Sequence, residues 1–393
     1  MMDNNATNYS RSNEQVPQIA LSGKHSAEEL QHQLTAMEII RLFFVHGTNS
    51  YEMSGAREFF SPLEKSFTCT HFSDFTPNPA IEEGIRGAKL FNERKCEAIL
   101  AVGGGSSIDV AKLVNVYQAH PGKELELSKG LEKLSNQLAP LIAVPTTAGS
   151  GSEATHFAVV YVDGVKYSLA DQNMLPQITL LNPEFLAGLK GPQLWAPAFD
   201  IACQAIESFW AAAATDETRT TAFNALQLVW PIIEAAKAPS VRERSRLFTA
   251  ANLAGKAINV TKTTAPHALS YTLSSRYGSP HGNAVAVLLR PFFSFNLTMA
   301  SANLARVVKT DGLKKQMQEI FACLGASNCA EADTIWKAAL ERCGLPSTLR
   351  QVGLSSPNEI DQLVNCVNAE RLHNHPVKLN SETLYYLVKE AFD

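Results

Sequence analysis

The chain has no CxxC pair, no cluster of lysine and arginine interleaved with aromatics, and no GxGxxG fingerprint. It also lacks any run of about 18 consecutive apolar residues, so no segment reads as a membrane-spanning helix. Each absence removes a class of function. Without paired cysteines there is neither a zinc-ribbon framework nor a thioredoxin-like redox centre. The seven cysteines (Cys69, Cys96, Cys203, Cys323, Cys329, Cys343 and Cys366) are odd in number, so free thiols in a reducing cytoplasm are expected. A net charge of −4 with no basic patch argues against a nucleic-acid partner. The opening MMDNNATNYSRSNEQ lacks the apolar centre of a secretory signal and reads as a disordered tail over residues 1–15.

What is present is a soluble globular composition, 45% hydrophobic and 18% charged, in 393 residues. That length exceeds one simple core, so two domains are expected. Over residues 16–186 short apolar runs alternate with amphipathic stretches. Ile40–Val45, Ala98–Val102 and Leu141–Val144 read as strands, Glu82–Arg94 and Ser106–Tyr117 as helices, and Ala158–Val162 with Lys166–Leu169 as a hairpin around Asp163-Gly164. Such alternation predicts an α/β domain with a parallel sheet. Over residues 187–393 the texture becomes alanine- and leucine-rich with helical periodicity. Ala198–Ala214, Thr218–Lys237, Val241–Asn259 and Pro266–Ser275 open an all-α C-terminal domain.

Two loops follow strands in the first domain. Gly103-Gly104-Gly105-Ser106-Ser107-Ile108-Asp109 runs from a strand into a helix. Glycines admit close backbone approach, and the helix N-terminus offers free N–H groups to a pyrophosphate. A plain strand-to-helix turn is the other reading of GGGS. Pro145-Thr146-Thr147-Ala148-Gly149-Ser150-Gly151-Ser152-Glu153 leaves the next strand, again at a carboxyl end. Two such loops point to a nucleotide crevice.

In the second domain Asp200 and Gln204 stand four apart on a helix, and His267 and His281 are separated by fourteen positions across the turn Tyr277-Gly278-Ser279-Pro280. Positions i and i+4 share a helix face. A carboxylate, an amide oxygen and two imidazoles suit a divalent first-row metal with an open coordination position. Singly, each of these residues also reads as solvated or as a satisfied core residue. Cys203 faces another way on the same helix and is not counted as a ligand.

Taken together, GGGSSID (103–109), PTTAGSGSE (145–153), HALSYTLSSRYGSPHG (267–282), Pro77-Asn78-Pro79 and Asn374-His375-Pro376 resemble the iron-containing, group III alcohol dehydrogenases over roughly residues 17–393. The resemblance implies the dehydroquinate synthase-like fold of that family, an α/β dinucleotide-binding domain followed by an all-α domain, with a metal in the cleft. It implies that Asn78, Gly104, Gly105, Ser106, Asp109, Thr146, Thr147, Ser150 and Lys166 line NAD(P)H. It implies Asp200, residue 204, His267 and His281 as metal ligands, and a homodimer is expected. Three departures stand out: Gln204 replaces the usual histidine, Tyr271 replaces a further histidine beside the substrate, and Val45-His46-Gly47 lacks the aspartate that would hold the adenosine 2′-hydroxyl. Acceptance of NADPH beside NADH is therefore expected. The amide oxygen shifts metal preference toward iron, with manganese or zinc as alternatives.

AGKAINVTKTTAPHALSY (254–271) and AIESFWAAAATDET (205–218) are similar to the phosphonoacetaldehyde reductase branch of the family, which forms 2-hydroxyethylphosphonate in phosphonate biosynthesis. That similarity implies reduction of a small charged aldehyde. Lys262, Thr263, Thr264 and Arg276 are then the candidate partners of the phosphonate, with a solvated face as the other reading of each. Tyr271 is the candidate proton donor, with packing as its alternative role. Competing functions are a generic alcohol dehydrogenase on uncharged substrates, a lyase of the dehydroquinate-synthase type, and a nucleotide-binding protein without catalysis.

Overall fold

The computed structural model describes residues 18–301, 310–356, 358–367 and 372–393. The expected tail, 1–15, lies outside the described residues. The first half runs β1 (Ile19–Ser22), α1 (Ser26–Ala36), β2 (Arg41–His46), α2 (Thr48–Met53), α3 (Ala56–Ser66), β3 (Thr68–Phe72), α4 (Ile81–Glu93), β4 (Ala98–Gly103), α5 (Gly105–Ala119), α6 (Glu124–Ser128), β5 (Leu141–Pro145), the hairpin β6 (Phe157–Val162) and β7 (Val165–Ala170), and β8 (Ile178–Leu181). Six strands form one sheet in the order β1-β8-β5-β4-β2-β3, with every pairing parallel. Strands β4 and β5 are buried along their whole length, which is why they read as continuous apolar runs rather than alternating ones. The carboxyl ends of β2, β4 and β5 are neighbours, since His46 pairs with Val102 and Gly103 with Pro145. The connection reverses direction between β2 and β4, the place where open α/β sheets bind ligands.

The second half is helical: α7 (Pro192–Trp210), α8 (Asp216–Ala235), α9 (Val241–Thr261), α10 (Ala265–Tyr277) and α11 (His281–Ser301), then helices Thr310–Leu324, Cys329–Arg342, Asn358–Asn365 and Ser381–Glu390. Local chemistry sets these boundaries. Pro192 occupies the first turn of α7, where its missing N–H costs nothing. Ser240 and Glu243 form a reciprocal capping box at the start of α9. Gly278 closes α10 in the left-handed conformation and aims the chain back into α11. The core of this half is aromatic at its centre: Trp230 stacks on Trp336 with ring centroids 5.4 Å apart, and the Trp336 indole N–H donates to Ala286 O. Helix α11, 21 residues long, is apolar along most of its length and mostly buried, as befits a helix of the core.

One expected helix ends early. The alanine run 211–214 was expected to extend α7, yet the helix stops at Trp210. The cause is a competing acceptor: Ala212 N donates to Asn374 O and Ala213 N to Asn374 Oδ1. Tertiary hydrogen bonds override a favourable helix propensity.

Candidate active site

The sheet side of the cleft is built mainly from backbone. Gly103 leaves β4 at φ 155°, and a Cβ there would lie 2.2 Å from Ser107 Oγ. Gly104 caps α5, placing Gly105 and Ser106 at its N-terminus, where free N–H groups and the positive dipole end meet an anion. Thr146 N donates to Gly103 O, which locks the two loops side by side. Thr146 Oγ1 is buried with no partner, and Thr147 packs against Gly104. Such an arrangement fits a dinucleotide pyrophosphate.

Asp109, on the first turns of α5, accepts from Ser152 Oγ at 3.3 Å and from Val159 N at 3.2 Å. Burial pushes its carboxyl pKa up to about 6, against the pull of Lys112. Lys112 was not singled out from the sequence. It is fully buried and donates to the carbonyls of Ser152, Thr155 and Phe157 and to the Thr155 hydroxyl. The side chain thus latches the second loop onto α5. Ser150 Oγ donates within that loop to Ser152 Oγ.

The helical side is built from side chains. Asp200 and Gln204 lie on one face of α7, His267 sits in the first turn of α10, and His281 begins α11. Ligand atoms of Asp200, His267 and His281 all lie within 4.8 Å of one another. Gly282 makes this convergence possible: a Cβ there would fall 1.9 Å from Ala196 O, so only glycine lets α11 press against α7. Gln204 Nε2 reaches Ser150 O at 3.4 Å, leaving Oε1 turned the other way.

Two buried acceptors, Asp200 Oδ1 and Gln204 Oε1, have no hydrogen-bond partner. The Nε2 of His267 is 3.3 Å from Asp200 Oδ1, but the pair does not align as a hydrogen bond. Unpartnered buried acceptors are costly. With two imidazoles beside them they form the donor set of a divalent cation.

Glu207, which the sequence reading passed over, completes this wall. It lies three positions after Gln204 and seven after Asp200, on the same helix face. That spacing was the available signal. Its buried carboxylate binds His267 Nδ1 in a short contact and also accepts from Thr264 N and Thr264 Oγ1. A carboxylate behind a ligand histidine fixes the ring and its tautomer. Burial disfavours the imidazolium, but Glu207 and Asp200 outweigh it and push the His267 pKa up to about 9.

Between the walls, the hairpin brings Lys166 Nζ to 3.2 Å from the Tyr271 ring centroid, and Tyr271 stacks on His281 with planes 3° apart. Lys166 also lowers the Asp109 pKa through its charge, so it spans both sides. Asn78, at φ 63°, lies in the turn whose Pro79 O accepts Tyr161 N, and Tyr161 pairs with Lys166 across the hairpin. The candidate cofactor, metal and proton-donor residues therefore share one cleft.

The four candidate substrate residues divide. Lys262 is exposed, Thr263 is half-buried, and both lie in the turn between α9 and α10. Thr264 is corrected: it is fully buried, its hydroxyl donates to Glu207 and accepts the Trp210 indole N–H, and it is therefore a helix anchor. Arg276 is exposed. It lies roughly two and a half turns beyond His267 and donates to Gln362 on an exposed face.

A parallel sheet with two glycine-rich loops at its carboxyl ends, beside a two-histidine donor set, is the arrangement expected of a metal-dependent enzyme that binds a dinucleotide. The chain belongs to the iron-containing alcohol dehydrogenase family: residues 17–183 match its N-terminal model (Iron-containing alcohol dehydrogenase) and residues 196–392 its C-terminal model (Fe-containing alcohol dehydrogenase family, C-terminal). It is similar to choline dehydrogenase of Bacillus subtilis, 26% identical with 96% of this chain and 94% of that protein covered. It is also similar to 1,3-propanediol dehydrogenase of Citrobacter freundii, 28% identical with 82% of each covered. Among solved structures, sulfoacetaldehyde reductase from Bifidobacterium kashiwanohense in complex with NAD+ superimposes with a TM-score of 0.84 at 25% identity, covering 95% of this chain and 97% of that one. The chain is thus an enzyme of the alcohol dehydrogenase and aldehyde reductase type.

Proposed function

We propose that this enzyme reduces a short aldehyde bearing a strong anion, with phosphonoacetaldehyde, reduced to 2-hydroxyethylphosphonate, as the best candidate. Family membership does not choose the substrate's charge, since the similar proteins include one named for choline, a cation, and one named for sulfoacetaldehyde, an anion. The observation that carries the choice is Lys262. Its backbone sits at φ 60°, ψ 178°, a region that glycine occupies easily and other residues hardly at all. Holding a lysine there costs about 1–3 kcal/mol. The side chain is exposed and makes no carboxylate ion pair among the described residues. Its charge reaches the second nucleotide loop's exit, where it helps burial hold the His156 pKa down. A cation kept at a strained position five residues before His267 supports recognition of an anionic substrate at the cleft.

In this reading Asp200, Gln204, His267 and His281 hold a divalent metal, iron by donor type, and the two loops with Asn78, Asp109 and Lys166 hold NAD(P)H. Bound there, the metal would supply Lewis acidity and the reduced nicotinamide the hydride. The protein's own part is positional. Glu207 orients His267, Lys262 and Thr263 hold the anionic end, and Tyr271, its ring face against the Lys166 ammonium, delivers the proton. With Gly47 where a carboxylate would repel a 2′-phosphate, NADPH is accepted.

The test is a pair of substrates. Lys262→Gly relaxes the backbone yet removes the cation, so the kcat/KM ratio of phosphonoacetaldehyde to propanal should fall about tenfold or more. An unchanged ratio, or a wild-type preference for propanal, would favour a generic alcohol dehydrogenase. A wild-type preference for sulfoacetaldehyde would keep the anion and change its identity.

A further inference from the structure

Asn374, in the Asn374-His375-Pro376 segment, lies more than 90 positions beyond His281, yet it contacts the turn that carries Lys262. Its Nδ2 donates to Thr261 O at 2.7 Å and to Thr263 O at 3.0 Å, the carbonyls on either side of Lys262. Its Oδ1 and main-chain O accept from Ala213 N and Ala212 N at the end of α7. One amide thereby ties the α9–α10 turn to the helix that carries Asp200, Gln204 and Glu207. Further bonds secure the same turn: Lys262 N donates to Ile258 O, Thr261 Oγ1 donates to Lys262 O, and Ser208 Oγ lies 2.7 Å from Thr261 Oγ1.

We propose, building on the anionic-substrate reading above, that Asn374 is a positioning residue that holds Lys262 in its glycine-like conformation and so sets the enzyme's preference for an anionic substrate. The physical reason is geometric. The carbonyls two residues apart that straddle a residue at positive φ are held by one two-proton donor. Without it the turn relaxes toward negative φ and the Lys262 side chain swings away from its present direction. Neither Asn374 atom need touch the substrate. The neighbouring His375 is occupied by the core: it is fully buried, with Nε2 3.0 Å from Asn296 Oδ1, so the tie rests on Asn374 alone within that segment.

The experiment compares wild type, Asn374→Ala, Lys262→Gly and the double variant, reading kcat and KM for phosphonoacetaldehyde and propanal together with the thermal midpoint. Asn374→Ala should lower the anionic-to-uncharged kcat/KM ratio about tenfold, chiefly through KM for the anionic aldehyde. In the Lys262→Gly background the same change should lower the ratio no further. The midpoint lost with Asn374→Ala should be partly regained in the double variant, because glycine takes φ 60° unaided. Should Asn374→Ala not yield folded protein, Asn374→Ser, which keeps one donor for the two carbonyls, is read the same way with a smaller drop.

Equal losses on both substrates, or the same drop in both backgrounds, would overturn the inference. A wild-type preference for the anion that disappears in Lys262→Gly but persists in Asn374→Ala would overturn it while leaving the substrate reading intact. A wild type indifferent to the anion would overturn both.

Discussion

On the sheet side of the cleft the chain offers mostly main chain: glycines without side chains, the first turn of α5, and carbonyls clipped by Lys112. On the helical side it offers side chains from three helices, with two buried acceptors left unpartnered and a carboxylate behind one imidazole. The difference follows from what each side has to hold. A pyrophosphate is long and carries its charge on many oxygens, so it suits a row of N–H groups. A metal ion is a single centre and needs a few lone pairs at fixed separations. The two walls should therefore fail independently when mutated, and the predictions are ways to test that independence.

The largest effect is expected from the ligands. His267→Ala or His281→Ala should lower turnover by about a thousandfold or more and abolish stoichiometric metal, measured by elemental analysis, while NADPH binding followed by nicotinamide fluorescence persists. Loss of both functions together would mean the walls are not separable. Next in size is Glu207→Gln, which keeps the shape but not the charge. Metal affinity should fall about 10–100-fold, with a matching loss of activity that excess metal restores. An unaltered metal dissociation constant would reduce Glu207 to a helix cap for Thr264.

The complementary break is Gly103→Ala. Its Cβ would press on Ser107 Oγ at 2.2 Å, so the KM for NADPH should rise about tenfold while metal content stays at the wild-type level. Metal loss in that variant would contradict the division. The smallest effect on turnover concerns His375, whose pKa burial pushes from 6.5 down to about 3. The unfolded chain takes up a proton below pH 6.5 that the folded chain refuses until near pH 3, so stability should fall through that window, by on the order of 5 kcal/mol in all. Denaturant titrations of His375→Gln should show a shallower loss over the same range. Parallel profiles would show that other groups govern acid lability.

The two walls also differed in how far they could be read in advance. GGGSSID and PTTAGSGSE announce their geometry locally, because a glycine run between a strand and a helix has few uses. Strands β2, β4 and β5 are legible as short, mostly apolar runs; β1, β3, β8 and helices α2 and α3 lack so plain a pattern. The ligand set was legible as an i, i+4 pair and two histidines around Gly278. Glu207 was within reach of the same helical spacing.

Proximity in sequence alone suggests Thr264 as a substrate partner, and its burial against Glu207 decides otherwise. The contacts of Lys112 and of Asn374, the latter visible only as part of a motif, could not be read from the sequence: each acts through main-chain carbonyls distant in sequence, 40 to 45 positions away for Lys112 and 111 and 113 for Asn374. Side chains that bond to main chain leave no pattern in residue types.

The most direct test of the account is a metal titration of activity. Protein stripped by chelation should oxidise NADPH with phosphonoacetaldehyde at no more than a trace rate. Stepwise addition of Fe(II) under anaerobic conditions should restore turnover in proportion to occupancy, saturating at one ion per chain. Full activity in the stripped protein, with no response to added metal, would contradict the assignment of Asp200, Gln204, His267 and His281 as the centre on which the reduction depends.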